Sequence, residues 1–170
     1  NAGNDTYTVD DFGDKVIELA NAGTDTVRSL ITRYTLTDNV ENLVFIGSGN
    51  FLGGGNTLDN RIAGGTGNDS FTGGSGGDDD YFGGAGNDTL IGGANADRID
   101  GGSGNDTLLG YAGDDYLVGG NGNNSLNGGD HDDTISADDG DNQIAAGNGS
   151  DTITVGNGNN VIQGGDGGDE

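Results

Sequence analysis

The chain contains no cysteine, proline, methionine or tryptophan. Without cysteine, no disulfide can staple a fold. Lys and Arg number 5 against 29 Asp and Glu, a formal net charge of −24. Such a surface repels a phosphate backbone and an anionic membrane face, which disfavours nucleic acid and lipid as partners. No apolar run approaches transmembrane length, so direct membrane insertion is not expected. Hydrophobic residues make up 29%, too few to offset roughly 1–2 kcal/mol of backbone entropy per residue. Something besides apolar burial must stabilise any fold. A bound cation is the remaining candidate, and it would also neutralise the charge.

What the chain has instead is glycine, 39 of its 170 residues, about three times the usual share. The glycines are periodic. From Gly64 a nine-residue unit recurs: GGTGNDSFT, then GGSGGDDDYF with one extra residue, then GGAGNDTLI, GGANADRID, GGSGNDTLL and GYAGDDYLV. It continues as GGNGNNSLN, GGDHDDTIS, ADDGDNQIA, AGNGSDTIT and VGNGNNVIQ, and GGDGGDE stops in mid-unit. GNTLDNRIA, from Gly55, is an earlier and weaker unit, and the opening NAGNDTYTV reads as the tail of another. Both ends are therefore expected to be cut from a longer array.

With the unit numbered one to nine, positions one, two and four are mostly Gly and position six is mostly Asp. Position eight is large and apolar throughout: Ile62, Phe71, Leu90, Ile99, Leu108, Leu117, Leu126, Ile135, Ile144, Ile153 and Ile162, with Tyr81 or Phe82 in the extended unit. This is a six-residue turn followed by a three-residue strand. Clustered Gly allows positive φ and close backbone approach. A strand buries alternate side chains, here only its middle one. Two units make one 18-residue coil, and stacked coils pair their strands in parallel about 4.7–4.9 Å apart. The fold class expected is all-β, a right-handed parallel β-roll or β-solenoid with two nonapeptides per coil. Its core would be two facing ladders of Leu and Ile, too thin to hold the fold alone.

The unit resembles GGxGxDxUx of the RTX, or haemolysin-type calcium-binding, repeat family, a parallel β-helix repeat. About two thirds of the chain carries it, with eleven units in register. Calcium also suits the residues. Position-six carboxylates one coil apart would stack about 5 Å from each other and repel by roughly 0.8 kcal/mol in water, more at lower dielectric. A divalent cation between each pair converts that repulsion into a bridge. Carboxylates and backbone carbonyls form a flexible all-oxygen site that favours Ca²⁺ over Mg²⁺. One His and no Cys leave zinc and copper without a ligand set.

The resemblance also implies where ions sit. Each lies between same-side turns of adjacent coils, held by carbonyls at positions two and four plus the Asp of one turn, and by carbonyls at one and three plus the Asp of the next. On this chain one site would use Gly65, Gly67 and Asp69 with Gly83, Ala85 and Asp88. Its counterpart on the other edge would use Gly74, Gly76 and Asp78 with Gly92, Ala94 and Asp97. Carried further, the candidate ligands of the first edge include Gly84, Gly86, Gly101, Ser103 and Asp106. Those of the second edge include Gly93, Asn95, Gly110, Tyr111, Ala112, Gly113 and Asp115. They continue with Gly128, Gly129, Asp130, His131 and Asp133, then Ala146, Gly147, Asn148, Gly149 and Asp151, and end with Gly164, Asp166 and Asp169.

Sorted by edge, position six reads Asn60, Asp78, Asp97, Asp115, Asp133, Asp151 and Asp169 on one side. On the other it reads Asp69, Asp88, Asp106, Asn124, Asn142 and Asn160. The first edge keeps its carboxylates, and the second switches to Asn and stays switched. Six Asp leave about five gaps for calcium, and three leave about two, so about seven ions are expected. Below Asp106, neutral Asn side chains would stack as a hydrogen-bonded ladder that needs no ion. An Asn oxygen can also ligate calcium, so weakened occupancy is the rival expectation.

Several residues have plainer readings than a special site. His131 occupies position four without any accompanying nucleophile or HExxH motif, and reads as a turn residue, like Asn95 in the same slot. Asp130, Asp138, Asp139 and Asp141 read as solvated charge, with Asp130 also in the ligand set that the resemblance implies. Tyr111 and Tyr116 read as covers over strand edges. Thr134, Ser136, Thr152 and Thr154 form an outward file too short for an ice-binding face.

Residues 1–54 differ. They hold the larger apolar runs YTV, KVIEL, TVRSLITRYTL and VENLVFI, which favour strands. DKVIELANAG is read as strand, with a short helix stopped by Gly23 as the alternative. An open solenoid end exposes its core and an edge, so this segment is expected to cap or lead into the roll of residues 55–170. The stretch TDTVRSLITRYTLTDNVENLVFIGSGNFLGGGNTLDNRIAGG, from Thr24 to Gly65, also resembles one that often precedes such repeats in large secreted RTX proteins. Asp5 and Asp25, in GND and GTD contexts, are further candidates for calcium.

The expected function is that of a non-enzymatic module that folds on meeting extracellular calcium. The family's usual setting implies a secreted or bacterial cell-surface location, export by type I secretion machinery and attachment to a larger polypeptide. The alternatives are the repeat region of an adhesin or ice-binding protein, or the accessory domain of a secreted hydrolase or epimerase.

Overall fold

The structure is a computed structural model that describes residues 2–74 and 76–170. In chain order its strands are β1 (Thr6–Val9), β2 (Thr26–Ser29), β3 (Arg33–Thr35), β4 (Asn42–Phe45), β5 (Leu52–Gly54) and β6 (Arg61–Thr66). They continue as β7 (Ser70–Thr72), β8 (Asp80–Ala85), β9 (Thr89–Gly93), β10 (Arg98–Ser103), β11 (Thr107–Ala112) and β12 (Tyr116–Val118). The last are β13 (Ser125–Asp130), β14 (Thr134–Ala137), β15 (Gln143–Gly149), β16 (Thr152–Val155) and β17 (Val161–Gly167). No helix occurs among the described residues.

The chain winds as a parallel β-solenoid. One sheet has nine strands in the order β1-β2-β4-β6-β8-β10-β12-β14-β16, and the other has eight, β17-β15-β13-β11-β9-β7-β5-β3. From β4 onward successive strands alternate between the sheets, as a two-unit coil requires. Register follows the repeat: Leu108 lies beside Leu90 and Leu126, and Leu117 beside Ile99 and Ile135. An 18-residue offset therefore stacks like on like.

Position-eight side chains form the core. Ile62, Phe71, Tyr81, Leu90, Ile99, Leu108, Leu117 and Ile135 are fully enclosed. In the extended unit Tyr81, rather than Phe82, takes position eight, opposite Ile62 and Ile99. At the far end the core opens: Ile153 is half-buried, and Val161 and Ile162 are exposed.

The first five strands belong to the same two sheets. Here the thin Leu/Ile core gives way to larger rings. Phe45 stacks on Phe51 at 4.6 Å, Phe51 meets Phe71 edge-on at 6.2 Å, and Phe71 meets Tyr81 edge-on at 6.1 Å. Asp14–Leu19 is neither of the elements expected for it. It lies between β1 and β2 with no regular secondary structure and joins neither sheet. Its burial still alternates, with Val16 and Glu18 inward and Ile17 and Leu19 outward. Side chains replace the missing strand partner, since Thr37 Oγ1 donates to the Val16 carbonyl at 2.8 Å and Asn39 Nδ2 to the Glu18 carbonyl at 3.1 Å. The apolar alternation was real; a ladder partner was what the local sequence could not supply.

Candidate metal centre

Position six forms two columns, one along each edge, buried except at the far end, where Asn160 is half-buried and Asp169 exposed. In one, the backbone N–H of Asp69 donates to Asp88 Oδ1 at 2.7 Å, Asp88 to Asp106 at 2.8 Å, Asp106 to Asn124 at 2.9 Å and Asn124 to Asn142 at 2.9 Å. Asn142 continues to Asn160 at 3.0 Å, and Phe51 heads the column by donating to Asp69. In the other, Asp97 donates to Asp115, Asp115 to Asp133, Asp133 to Asp151 and Asp151 to Asp169. Each rung thus commits one side-chain oxygen to holding the preceding coil.

The extended unit places Asp79, not Asp78, in this second column. Asn60 donates to Asp79 Oδ1 at 2.7 Å, and Asp79 to Asp97 at 2.8 Å. Asp78 is exposed and bonds through its N–H to Asp59. The extra residue therefore precedes the column residue, in the glycine turn, and the strand register is kept from Asp79 onward. Asp79 differs in another way: its Oδ2 accepts from the buried Tyr81 hydroxyl at 2.7 Å.

The second carboxylate oxygen is the informative atom. Oδ2 of Asp69, Asp88, Asp106, Asp97, Asp115, Asp133 and Asp151 is buried and has no hydrogen-bond partner. A buried charged oxygen without a partner is costly unless something positive meets it. Burial accordingly pushes the carboxyls up, to about 6 for Asp88, Asp97 and Asp133 and about 7 for Asp115, with column neighbours adding repulsion. Asp69, Asp79 and Asp106 are raised for the same leading reason.

Position-one glycines leave space beside that oxygen. A Cβ on Gly83 would collide with Asp88 Oδ2 and lie 2.7 Å from the Gly101 carbonyl oxygen of the next coil. Gly110 stands in the same relation to Asp115 and, at 2.6 Å, to the Gly128 carbonyl. At the rungs of Asp69, Asp88, Asp97, Asp115 and Asp133, carboxylate oxygen and position-one carbonyl therefore converge on one small, all-oxygen space.

The Asn rungs fill that space themselves. Asn124 Nδ2 donates to the carbonyls of Gly120 and Gly122, at 3.2 and 3.4 Å. Asn142 Nδ2 donates to those of Asp138 and Gly140, both at 3.2 Å, and to Asn160 Oδ1 at 3.1 Å. These are the carbonyls of positions two and four, which therefore face the position-six side chain. Position one also grows along this edge, to Ala137 and Val155, although Ala146 does the same before Asp151.

The turn backbone explains the remaining glycines. Gly65, Gly67, Gly84, Gly86, Gly147 and Gly149 have positive φ. Tyr111 (φ 83°) and His131 (φ 85°) take that conformation as non-glycine residues, whereas Asn95 does not. His131 is thus a turn residue, with Nδ1 2.9 Å from the Asp130 carbonyl. Exposed Tyr116 lies under the Arg98 guanidinium at 4.9 Å.

A second, outer ladder went unread in the sequence. At position five, Asn50 Oδ1 accepts from the N–H of Asn68, Asn68 from Asn87, Asn87 from Asn105, Asn105 from Asn123 and Asn123 from Asp141. It bonds the following coil, while position six bonds the preceding one. Asp139, Asp141 and Asp130 similarly hold Asn157, Asn159 and Asn148. They are exposed as expected, but they are not free charges. The recurrent Asn of GND and GNN was the available signal.

A model of the RTX calcium-binding nonapeptide repeat matches the chain in four copies, over residues 54–79, 74–108, 109–144 and 145–170. No curated protein matches it. With buried Asp columns, convergent turn carbonyls and a family match across more than half its length, the chain belongs to the RTX calcium-binding repeat family.

Proposed function

We propose that this chain is a calcium-driven folding module. The observation that carries the reading is the set of seven buried, unpartnered Asp Oδ2 atoms in two columns. Between coils, each would meet a cation that the turn carbonyls also ligate. Asp69, Asp88 and Asp106 serve one edge, and Asp97, Asp115, Asp133 and Asp151 the other, with Asp169 closing the second column. The ion supplies the positive charge that the buried carboxylates otherwise lack. At low calcium, the net charge of −24 keeps the chain expanded. In millimolar calcium, binding energy becomes folding energy.

The array is lopsided. Below Asp106 the Asn124, Asn142 and Asn160 side-chain amides stand in for ions, because each already donates to turn carbonyls. The Asp79–Asp97 gap binds more weakly than those below it, because Tyr81 already occupies Asp79 Oδ2. A module that folds only where calcium is abundant suits a protein exported unfolded to the cell exterior, as in type I secretion. There it would stabilise the larger polypeptide that carries it.

Far-UV circular dichroism in calcium and then in chelator tests the reading. A parallel-β signal should appear with calcium and collapse on chelation, and magnesium should replace it poorly. A β signal that survives chelation at neutral pH would overturn it.

A further inference from the structure

The bond that joins column rungs recurs ahead of the repeats matched by the family. Asp25, ahead of β2, and Asp5, ahead of β1, stand on adjacent coils, since β1 and β2 pair directly with Thr6 beside Thr26. The Asp5 N–H donates to Asp25 Oδ1 at 2.8 Å, the same bond that joins rungs of the roll. The Asp25 N–H donates in turn to Glu41 Oε2 at 2.7 Å. Asp25 is fully buried, and its Oδ2 has no hydrogen-bond partner; neither has Oδ2 of Asp5.

This gap differs from those of the roll in what closes it. Between β1 and β2 the chain adds no strand to the second sheet but returns through the Asp14–Leu19 segment. Alternation along that segment turns Glu18 inward, where it is 5% exposed. The Tyr7 hydroxyl donates to Glu18 Oε1, and the Leu19 N–H donates to Oε2 at 3.2 Å. One carboxylate oxygen from each of Asp5, Glu18 and Asp25 lies within 4.8 Å of the other two. Three atoms so spaced all lie within about 2.8 Å of a common centre, close to the calcium–oxygen distance of about 2.3–2.6 Å. Asp5 and Asp25 each bring a buried carboxylate oxygen without a hydrogen-bond partner to this place, and a cation there would satisfy both.

We propose that Asp5, Glu18 and Asp25 form a separate calcium site, in which a glutamate from the inter-strand excursion joins the two aspartates. Its donors are all oxygen, three of them anionic, and include neither the nitrogen nor the sulfur that zinc or copper would favour. The ion pins the excursion to the first rung. It lies outside residues 54–170, where the repeat model matches, and it depends on the calcium reading of the roll only for the choice of ion.

Crystals of the full chain grown in calcium and soaked with terbium test it directly. An anomalous peak bonded to Asp25 Oδ2 and to carboxylate oxygens of Asp5 and Glu18 is expected. Ions along the roll with only water at this place would overturn the site while leaving the roll intact. No ion anywhere would overturn both. Native mass spectrometry gives the solution counterpart. Glu18→Gln and Asp25→Asn should each carry one calcium fewer than the parent, and Asn keeps the Oδ1 acceptor that Asp5 needs. Unchanged counts in both variants refute the site. If either variant fails to fold, the terbium peak in the parent decides.

Discussion

Asn124 Nδ2 donates to the Gly120 carbonyl at 3.2 Å, on the rung directly below Asp106, whose Oδ2 has no partner. The backbone N–H of Asp106 donates to Asn124 Oδ1 at 2.9 Å, so the column crosses this boundary unbroken. One atom has changed, from an anionic oxygen that needs a cation to an amide that supplies its own donor. The coil-to-coil bond is indifferent to the change because it uses the other oxygen.

Asn124→Asp should reverse the substitution. It removes the donors to Gly120 and Gly122 and installs a second buried Oδ2. Leaving such groups unpaired costs about 1–3 kcal/mol, so the variant should need more calcium to fold. Once folded, it should hold at least one additional ion by native mass spectrometry. An unchanged ion count would show that the Asn rung already binds calcium.

Gly110→Ala should damage a single rung. Its methyl would collide with Asp115 Oδ2 and sit 2.6 Å from the Gly128 carbonyl. Calcium titration should show weaker or fewer sites. Gly93→Ala is the control, since a Cβ there meets only Asp97 Oδ2, at 4.0 Å. Equal behaviour of the two would remove the assigned role of position one.

Without calcium, the fold should be favoured by acid. The folded-state carboxyls of Asp88, Asp97 and Asp133 rise to about 6 and Asp115 to about 7, above the unfolded value of about 3.9. The folded chain therefore binds more protons between these values, and its stability falls as pH rises through that window. In chelator, circular dichroism should show more β structure at pH 5 than at pH 7.5. With calcium the preference should invert, because protons compete with the ion for the same oxygens. A chelated chain equally unfolded at both values would contradict the carboxyl assignment.

Leu108→Ala tests how much the thin core adds. Leu108 is fully buried between Leu90 and Leu126, and such truncations cost about 2–5 kcal/mol. The calcium midpoint for folding should rise without loss of ions at saturation. A fall in the saturated ion count would show that core and columns are not separable.

Spacing alone made the coil legible. A nine-residue period with Gly at one, two and four, Asp at six and an apolar residue at eight admits little besides stacked turns and short parallel strands. The same spacing separated the two edges and exposed the switch at Asn124. Where the period slipped, counting failed. GGSGGDDDYF offers three consecutive Asp, and only the register against Asn60 and Asp97 selects Asp79 over Asp78. Residues 14–19 failed for another reason. Their alternation is that of a strand, but whether a strand finds a ladder depends on which distant backbone lies beside it.

The sequence by its own periodicity thus settled the solenoid, the two columns and the identity of nearly every rung, because each unit repeats the same local problem at a constant offset. Three-dimensional packing settled which oxygen each rung spends on its neighbour and which it leaves buried without a partner. It also brought Glu18 to Asp5 and Asp25, across an excursion with no repeat. Contacts that recur with the period can be counted along the chain. Those made once, between segments of unrelated spacing, exist only after the chain has folded back on itself.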